Sequence, residues 1–211
     1  MTVAPLQTVS TVGALEQALE ERILGGELAA GEHLRETELA QEYDVARHSL
    51  RAACDALTRR GLLVKKPNKG FFVPELNADD AREIFELRRA LELPVVRLLA
   101  ERKEVPPATQ AALAALQALP DDAAWRHVVR ADLDYHRGLV EAAGNRRLAK
   151  AHGDLLSEIA LCIAQTGTTY EQASEVAREH ERLAKAIRSG DADRAERELD
   201  AHFAEGIKRL R

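Results

Sequence analysis

The sequence predicts a mainly α protein: an N-terminal winged helix-turn-helix followed by an all-α antiparallel helical bundle. Three observations carry this. The chain of 211 residues is 45% hydrophobic but only 4% aromatic, a composition suited to packed helices. Residues 34–73 read as two short amphipathic helices and then a Gly-tipped hairpin rich in Lys and Arg. After Asn77 the apolar residues keep helical spacing, interrupted only at Pro and Gly.

The elements follow in order. Residues 1–11 read as a loose arm. Residues 12–24 form a helix with Leu15, Leu19 and Ile23 on one face, stopped by Gly25-Gly26. Thr37 is expected to cap a short helix that turns Leu39 and Ala40 inward. Tyr43-Asp44-Val45 makes the turn into a helix over 47–60, with Leu50, Ala53, Cys54 and Leu57 on one side and Gly61 at its end. Strands at 62–66 and 71–74 flank the hairpin tip Pro67-Asn68-Lys69-Gly70. Residues 74–77 read as a linker, which divides the chain into domains 1–76 and 77–211. Helices are expected at 78–101, 107–118, 121–142, 146–166, 170–189 and 191–210, with Pro94 placed to kink the first.

Charge is distributed unevenly. The chain carries −5 overall, yet residues 47–70 hold seven Lys/Arg against the single acid Asp55, about +6. A local positive block on an acidic protein is the footprint of a polyanion partner. The helix-turn-helix-wing order makes that partner double-stranded DNA. Arg47, His48, Ser49 and Arg51 lie on the outer face of the second helix, where a major-groove helix needs polar residues. Arg47 and Arg51 are the candidates for guanine, whose O6/N7 pair matches a guanidinium fork. Lys65, Lys66 and Lys69, with Gly70 at the tip, can reach phosphates from the hairpin. Two cysteines, Cys54 and Cys162, make no disulfide framework and suit a reducing compartment. No signal peptide or membrane-length apolar run is visible, so a cytoplasmic setting without membrane contact is expected.

The bundle carries polar groups on apolar faces. Asp132 and His136 are four apart, on the helix face shared with Trp125, Val129 and Leu139. His180 lies among Val176, Ala177, Leu183 and Ile187, and His202 near Ala195 and Leu199. Separate, individually satisfied core histidines are one reading; a shared site is the other. Imidazole and carboxylate donors suit Zn, Ni, Mn, Fe or Co. Glu179 and Glu181 flank His180 and are expected to point elsewhere, which leaves no general base and no catalytic residue. Arg88 falls in the middle of the Ile84, Leu91, Val95 face, where it either clamps an effector anion or pairs internally with Glu92 or Asp132. Asn145 either contacts effector or caps a helix.

Residues 12–75 resemble the winged-helix domain of the GntR family of bacterial transcription regulators. The likeness rests on Gly31, Leu34, Glu38-Leu39-Ala40, Val45, Arg47, Leu50-Arg51, Ala53, Leu57, Gly61-Leu62 and Gly70-Phe71-Phe72-Val73. It adds Arg35, at a position where family members carry a DNA-contacting residue. The chain departs from the family at Ala46, where a serine is usual, and at His48-Ser49, where Thr-Pro is frequent. Its operator is therefore expected to differ from the family's common one.

Residues 80–210 resemble the FCD effector domain of the FadR subfamily, through DLDYH (132–136), Gly144-Asn145, Glu179-His180 and the 190–202 run. The resemblance implies a divalent metal, zinc first, on Asp132, His136, His180 and His202, beside a small carboxylic acid effector. It implies a homodimer that binds a near-palindromic operator, with repression relieved by effector. A direct metal sensor is the alternative reading. A helical metalloenzyme fused to a DNA-binding module ranks last.

Overall fold

The computed structural model describes residues 10–166 and 172–209. The chain separates into two compact units, Met1–Glu75 and Leu76–Arg211.

The first unit contains α1 (Thr11–Leu24), α2 (Glu36–Glu42), α3 (Arg47–Arg59), β1 (Val64–Lys66) and β2 (Gly70–Phe72). Ser10 caps α1 by accepting from the Gly13 amide at 3.0 Å. Of the expected arm, residues 1–9 lie outside the described residues. α1 packs on α3 by burying Leu15, Leu19 and Ile23 against the apolar side of α3, where Leu50, Ala53, Cys54 and Leu57 are fully buried. Arg60 forks onto Glu20 at 2.6 and 2.8 Å and ties the two helices at one end.

The cap expected at Thr37 is not made. α2 starts two residues earlier, at Glu36 after Arg35, and has no side-chain cap. Glu36 and Glu38 in its first turn compensate the helix dipole instead. α3 likewise begins at Ala46 with no side-chain cap, since alanine has no acceptor to offer. It ends in a Schellman motif: the Leu62 amide donates to Leu57 O at 3.0 Å and the Gly61 amide to Thr58 O at 3.2 Å. Gly61, at φ 74°, takes the left-handed position this motif requires.

β1 and β2 pair antiparallel, with Val64 opposite Phe72 and Lys66 opposite Gly70. The strands are shorter than the apolar pattern suggested. A third segment joins them: Leu34 N donates to Phe71 O, Val73 N donates to Glu32 O, and His33 bridges to Phe72. The hairpin is thus held to the chain just before α2, which makes it a rigid wing.

The second unit is a helical bundle of α4 (Ala78–Arg102), α5 (Pro107–Ala118), α6 (Trp125–Ala142), α7 (Arg146–Thr166), α8 (Ala173–Ser189) and α9 (Ala192–Arg209). Asn77 and Asp80 form a capping box at the start of α4, and α4 continues through Pro94. α6 begins at Trp125 rather than at 121. Residues 120–124 turn instead, with the Ala123 amide on Pro120 O, and the Asp121 carboxylate accepts from the Ser174 amide at 3.0 Å. The expected start at 170 and the expected end at 210 fall outside the described residues.

The bundle core gathers Phe85, Leu99, Tyr135, Leu139, Leu183 and Phe203. α5 lies unusually close to α6 because Gly138 has no side chain: a Cβ there would stand 2.6 Å from Thr109 Oγ1 and 2.8 Å from its amide nitrogen. Tyr135, one residue before His136, donates its hydroxyl to His180 O at 3.1 Å and so registers α6 against α8.

Candidate metal centre and nucleic-acid interface

Four of the bundle's polar side chains meet at one point. A donor atom from each of Asp132, His136, His180 and His202 lies within 4.8 Å of every other. His136 and His180 are fully buried, and Asp132 and His202 are 9% exposed. They come from α6, α8 and α9, so the cluster exists only when these helices pack.

The proton positions follow from the outer partners. His136 Nδ1 lies 2.6 Å from Glu92 Oε2, and His202 Nδ1 lies 2.8 Å from Glu179 Oε2. His180 Nδ1 lies 2.8 Å from the carbonyl of Val176, one turn earlier on its own helix. Carboxylate and carbonyl oxygens only accept, so each Nδ1 carries the hydrogen. Each Nε2 is then left with a bare lone pair, and these lone pairs face one another. His136 Nε2 is 3.2 Å from His180 Nε2 and 3.3 Å from His202 Nε2. Asp132 Oδ1 lies 3.1 Å from His180 Nε2 and 3.5 Å from His202 Nε2.

Four lone-pair donors at such distances repel unless a cation sits among them. Two donors each about 2.1 Å from a shared ion stand about 3.0–3.4 Å apart at right-angle to tetrahedral geometry. The separations above, 3.1–3.5 Å, lie close to that range, and His136 Nε2 stands 3.9 Å from Asp132 Oδ1. Charge agrees: among the described residues Glu92 and Asp132 both face the Arg88 guanidinium, two carboxylates against one cation in a buried cluster. The residues fit a divalent ion.

Protonation responds to the same imbalance. Burial works against ionised Asp132, yet its contacts with the His180 and His202 imidazoles hold it well below the usual carboxylate range. Burial also opposes the charge of Glu92, and His136 and Arg88 outweigh it in the same direction. Burial drives His136 down to about 3, with Arg88 adding to the effect, so its imidazole is neutral. Burial pulls His202 down as well, but Asp132 and Glu179 together raise it above its ordinary value.

Arg88 is 1% exposed. Its Nε donates to Glu92 Oε1 at 2.8 Å, and its Nη2 lies 3.6 Å from Asp132 Oδ2. Both internal partners considered from the sequence are therefore present. Nη2 nevertheless has no hydrogen-bond partner among the described residues. The guanidinium stacks 4.6 Å from the Phe203 ring centre, which fixes its plane. It borders a cavity of about 40 Å³ whose other walls include Asp132, His202, Trp125, Val129 and Ile163. That is roughly three times the room one water needs. Anion clamp and internal ion pair are thus compatible roles for one side chain.

Asn145 is not at this cavity. It is exposed, and its Oδ1 accepts from the amides of Arg147 and Leu148 at 3.1 and 3.2 Å, which caps α7. These contacts make the helix cap that was one of its two readings. Glu179 also departs from expectation: it turns toward the cluster and holds His202. Glu92 and His152 complete the outer ring, with His152 Nε2 2.8 Å from Glu92 Oε1. The sequence carried one signal for Glu92, its position one turn after Arg88 on a buried face.

In the winged unit a groove of about 840 Å³ opens between α3, the start of α2 and the wing. It brings together Arg35, Arg47, Arg51, Lys65, Lys66 and Lys69, with Gly70 on its wall. Arg51 is paired with Glu36 at 3.1 Å, and Glu36 lies close beneath Gly70. Lys65 bonds Asp55 at 2.8 Å and, like Lys66, lies over a wing phenylalanine. His48 is exposed and Ser49 half-buried on α3; neither lines the groove.

A winged helix-turn-helix with a basic groove, carried by a chain whose other unit is a helical bundle, defines a class of protein: a DNA-binding transcription regulator. The comparisons with known proteins narrow this to a family. Residues 11–73 match the model for "Bacterial regulatory proteins, gntR family", and residues 83–205 match the FCD domain. The chain belongs to the GntR family of transcription regulators, with an FCD domain after its DNA-binding domain. It is 26% identical to YdhC, an uncharacterised HTH-type transcriptional regulator of Bacillus subtilis (strain 168), over 92% of this chain and 88% of that protein. It is 31% identical to the HTH-type transcriptional repressor NanR of Enterobacter sp. (strain 638), over 94% of this chain and 85% of that one. Its fold matches that of E. coli McbR/YncC with a TM-score of 0.76 at 20% identity, covering 95% and 97% of the two chains. The family comprises regulators rather than enzymes. Among the described residues no helix is long and apolar enough to cross a membrane.

Proposed function

We propose that this regulator is a cytoplasmic, homodimeric repressor whose operator affinity is set by a small carboxylate bound beside a divalent metal. The observation that carries the reading is the convergence of three imidazole lone pairs and one carboxylate, each imidazole held from behind through its Nδ1. Asp132, His136, His180 and His202 would hold the ion, zinc first, with Ni, Mn, Fe or Co as alternatives. The bound ion would neutralise the buried negative excess and present a positive centre to an acid. Arg88 Nη2 would take a carboxylate oxygen, and the apolar cavity walls would select a short chain. The cavity's size admits an acid of only a few heavy atoms.

Operator DNA would lie along the basic groove. Arg47 and Arg51 would read base edges, Arg35 and the wing residues Lys65, Lys66, Lys69 and Gly70 would hold the backbone, and His48 and Ser49 would meet the DNA from the first turn of α3. An acid that binds the DNA-free form more tightly than the DNA-bound form lowers operator affinity by linkage.

The test selects operator from randomised duplexes and then follows binding by fluorescence anisotropy with chelator, with zinc, and with zinc plus a panel of short carboxylates. A carboxylate that weakens binding only when zinc is present supports the reading. A response to zinc alone, with no acid active, would instead make metal the signal. The cluster favours that second reading to one extent: all four donors come from a single chain, so it can form without an organic ligand.

A further inference from the structure

Three histidines reach the donor cluster, yet the bundle buries a fourth. His152 on α7 is 1% exposed and does not approach the lone pairs. Its Nε2 lies 2.8 Å from Glu92 Oε1. The same oxygen accepts from Arg88 Nε at 2.8 Å, and the other oxygen of Glu92 lies 2.6 Å from His136 Nδ1. One fully buried carboxylate thus joins donors from α4, α6 and α7: the cavity arginine, a proposed metal ligand and a histidine with no other assigned role. Nothing in holding a metal requires the arginine and the ligand histidine to share an anchor.

We propose that Glu92 is the positioning residue that couples the two halves of the site, orienting the His136 lone pair and the Arg88 guanidinium through one carboxylate that His152 locks in place. The inference rests on the metal-and-carboxylate reading above and adds how its parts communicate. Glu92 holds Arg88 by Nε, which leaves Nη2 directed at the cavity. It holds His136 by Nδ1, which leaves Nε2 directed at the ion. A carboxylate captured by Nη2 shifts the share of Arg88's charge that falls on Glu92 and Asp132, and with it the basicity of the metal donors. By linkage the ion then changes the affinity for the acid by the same factor.

The test uses the full-length protein and Co²⁺, whose visible spectrum reports its ligand geometry, with acetate as the anion. Co²⁺ affinity is measured with and without saturating acetate for wild type, Glu92→Gln, His152→Gln and His152→Leu. Glutamine at 92 keeps the volume but loses the charge and cannot accept from all three donors. Glu92→Gln is expected to weaken Co²⁺ binding about 10- to 100-fold, the range for losing an outer partner of a ligand histidine. Its spectrum is expected to shift, and the factor by which acetate changes Co²⁺ affinity to fall to about one. His152→Gln, which retains a donor toward Glu92, is expected to stay near wild type, and His152→Leu to weaken binding.

If wild type and Glu92→Gln bind Co²⁺ alike, with the same spectrum and the same acetate factor, the inference is overturned while the metal reading stands. If wild type binds no Co²⁺, both fall. Thermal unfolding by circular dichroism accompanies each variant. Should Glu92→Gln fail to fold, the two His152 variants decide: equal affinity and equal acetate factors for glutamine and leucine contradict the proposed lock and the coupling it supports.

Discussion

Glu179 Oε2 stands 2.8 Å from Nδ1 of His202, across the packing of α8 on α9. The residue before one proposed metal ligand, His180, is therefore the outer partner of another, His202. A one-residue step along α8 serves both: His180 points its own Nε2 into the cluster while Glu179 steadies the imidazole on the neighbouring helix. Replacing Glu179 by Gln removes the charge and leaves the His202 tautomer unspecified. Zinc affinity, measured by competition with a coloured chelator, is expected to fall about 10-fold or more. Unchanged affinity would show that His202 needs no such support.

The DNA interface predicts two different losses. Arg51→Ala is expected to cost about 1–3 kcal/mol of operator affinity and to relax preference at one base pair. Lys69→Ala, at the wing tip, is expected to weaken binding to all sequences alike and to reduce the salt slope by about one. Anisotropy titrations across a salt series separate the two. If Arg51→Ala kept full affinity and specificity, α3 would not be the reading helix.

Two helical glycines should respond in opposite directions to alanine. Gly138→Ala drives a methyl to 2.6 Å from Thr109 Oγ1 and 2.8 Å from the Thr109 amide nitrogen, so α5 must move. It is expected to destabilise the bundle by about 1–3 kcal/mol, the usual cost of overpacking. Gly153→Ala meets nothing within 4 Å. It is expected to stabilise by about 0.4–1 kcal/mol, by reducing the freedom of the unfolded chain. Urea unfolding curves of both variants check the contrast.

Cys54 should be inert in the folded protein. It is fully buried behind α3, and burial pushes its thiol up to about 12, with Glu36 and Asp55 adding to the effect. The unfolded thiol ionises near its ordinary value of 9.0. Between those values the native state binds more protons than the unfolded state, so the thiol's contribution to stability falls as pH rises through this window and is constant below it. At neutral pH a thiol-directed chromogenic reagent is expected to label Cys54 only after denaturant is added. Rapid labelling of Cys54 in native protein would contradict its burial.

The sequence and the structure agree most where a residue's task depends on its own helix. Asp132 and His136 are one turn apart, so their common direction was legible, as was the apolar setting of His180 and His202. Arg88 was legible as a buried charge in need of an anion. What escaped were the relationships between helices. Glu179 looks turned away on a wheel of α8 alone and becomes a partner only when α9 packs beside it. His152 is unremarkable until α7 brings it against Glu92. Asn145 carried two readings, and the backbone decided between them because the free amides of Arg147 and Leu148 lie within its reach. Thr37 offered a cap that α2 does not use, because the helix begins two residues sooner. Propensity places such starts only to within a residue or two.

The lone pairs of His136, His180 and His202, with Asp132, are proposed to hold a divalent metal. Inductively coupled plasma mass spectrometry on full-length protein purified without chelator tests it most directly, beside a variant carrying both His136→Ala and His180→Ala. A divalent transition metal equimolar with the chain is expected in wild type and none in the variant. Metal-free wild type that takes up no zinc on addition, or a variant that retains its metal, would contradict it.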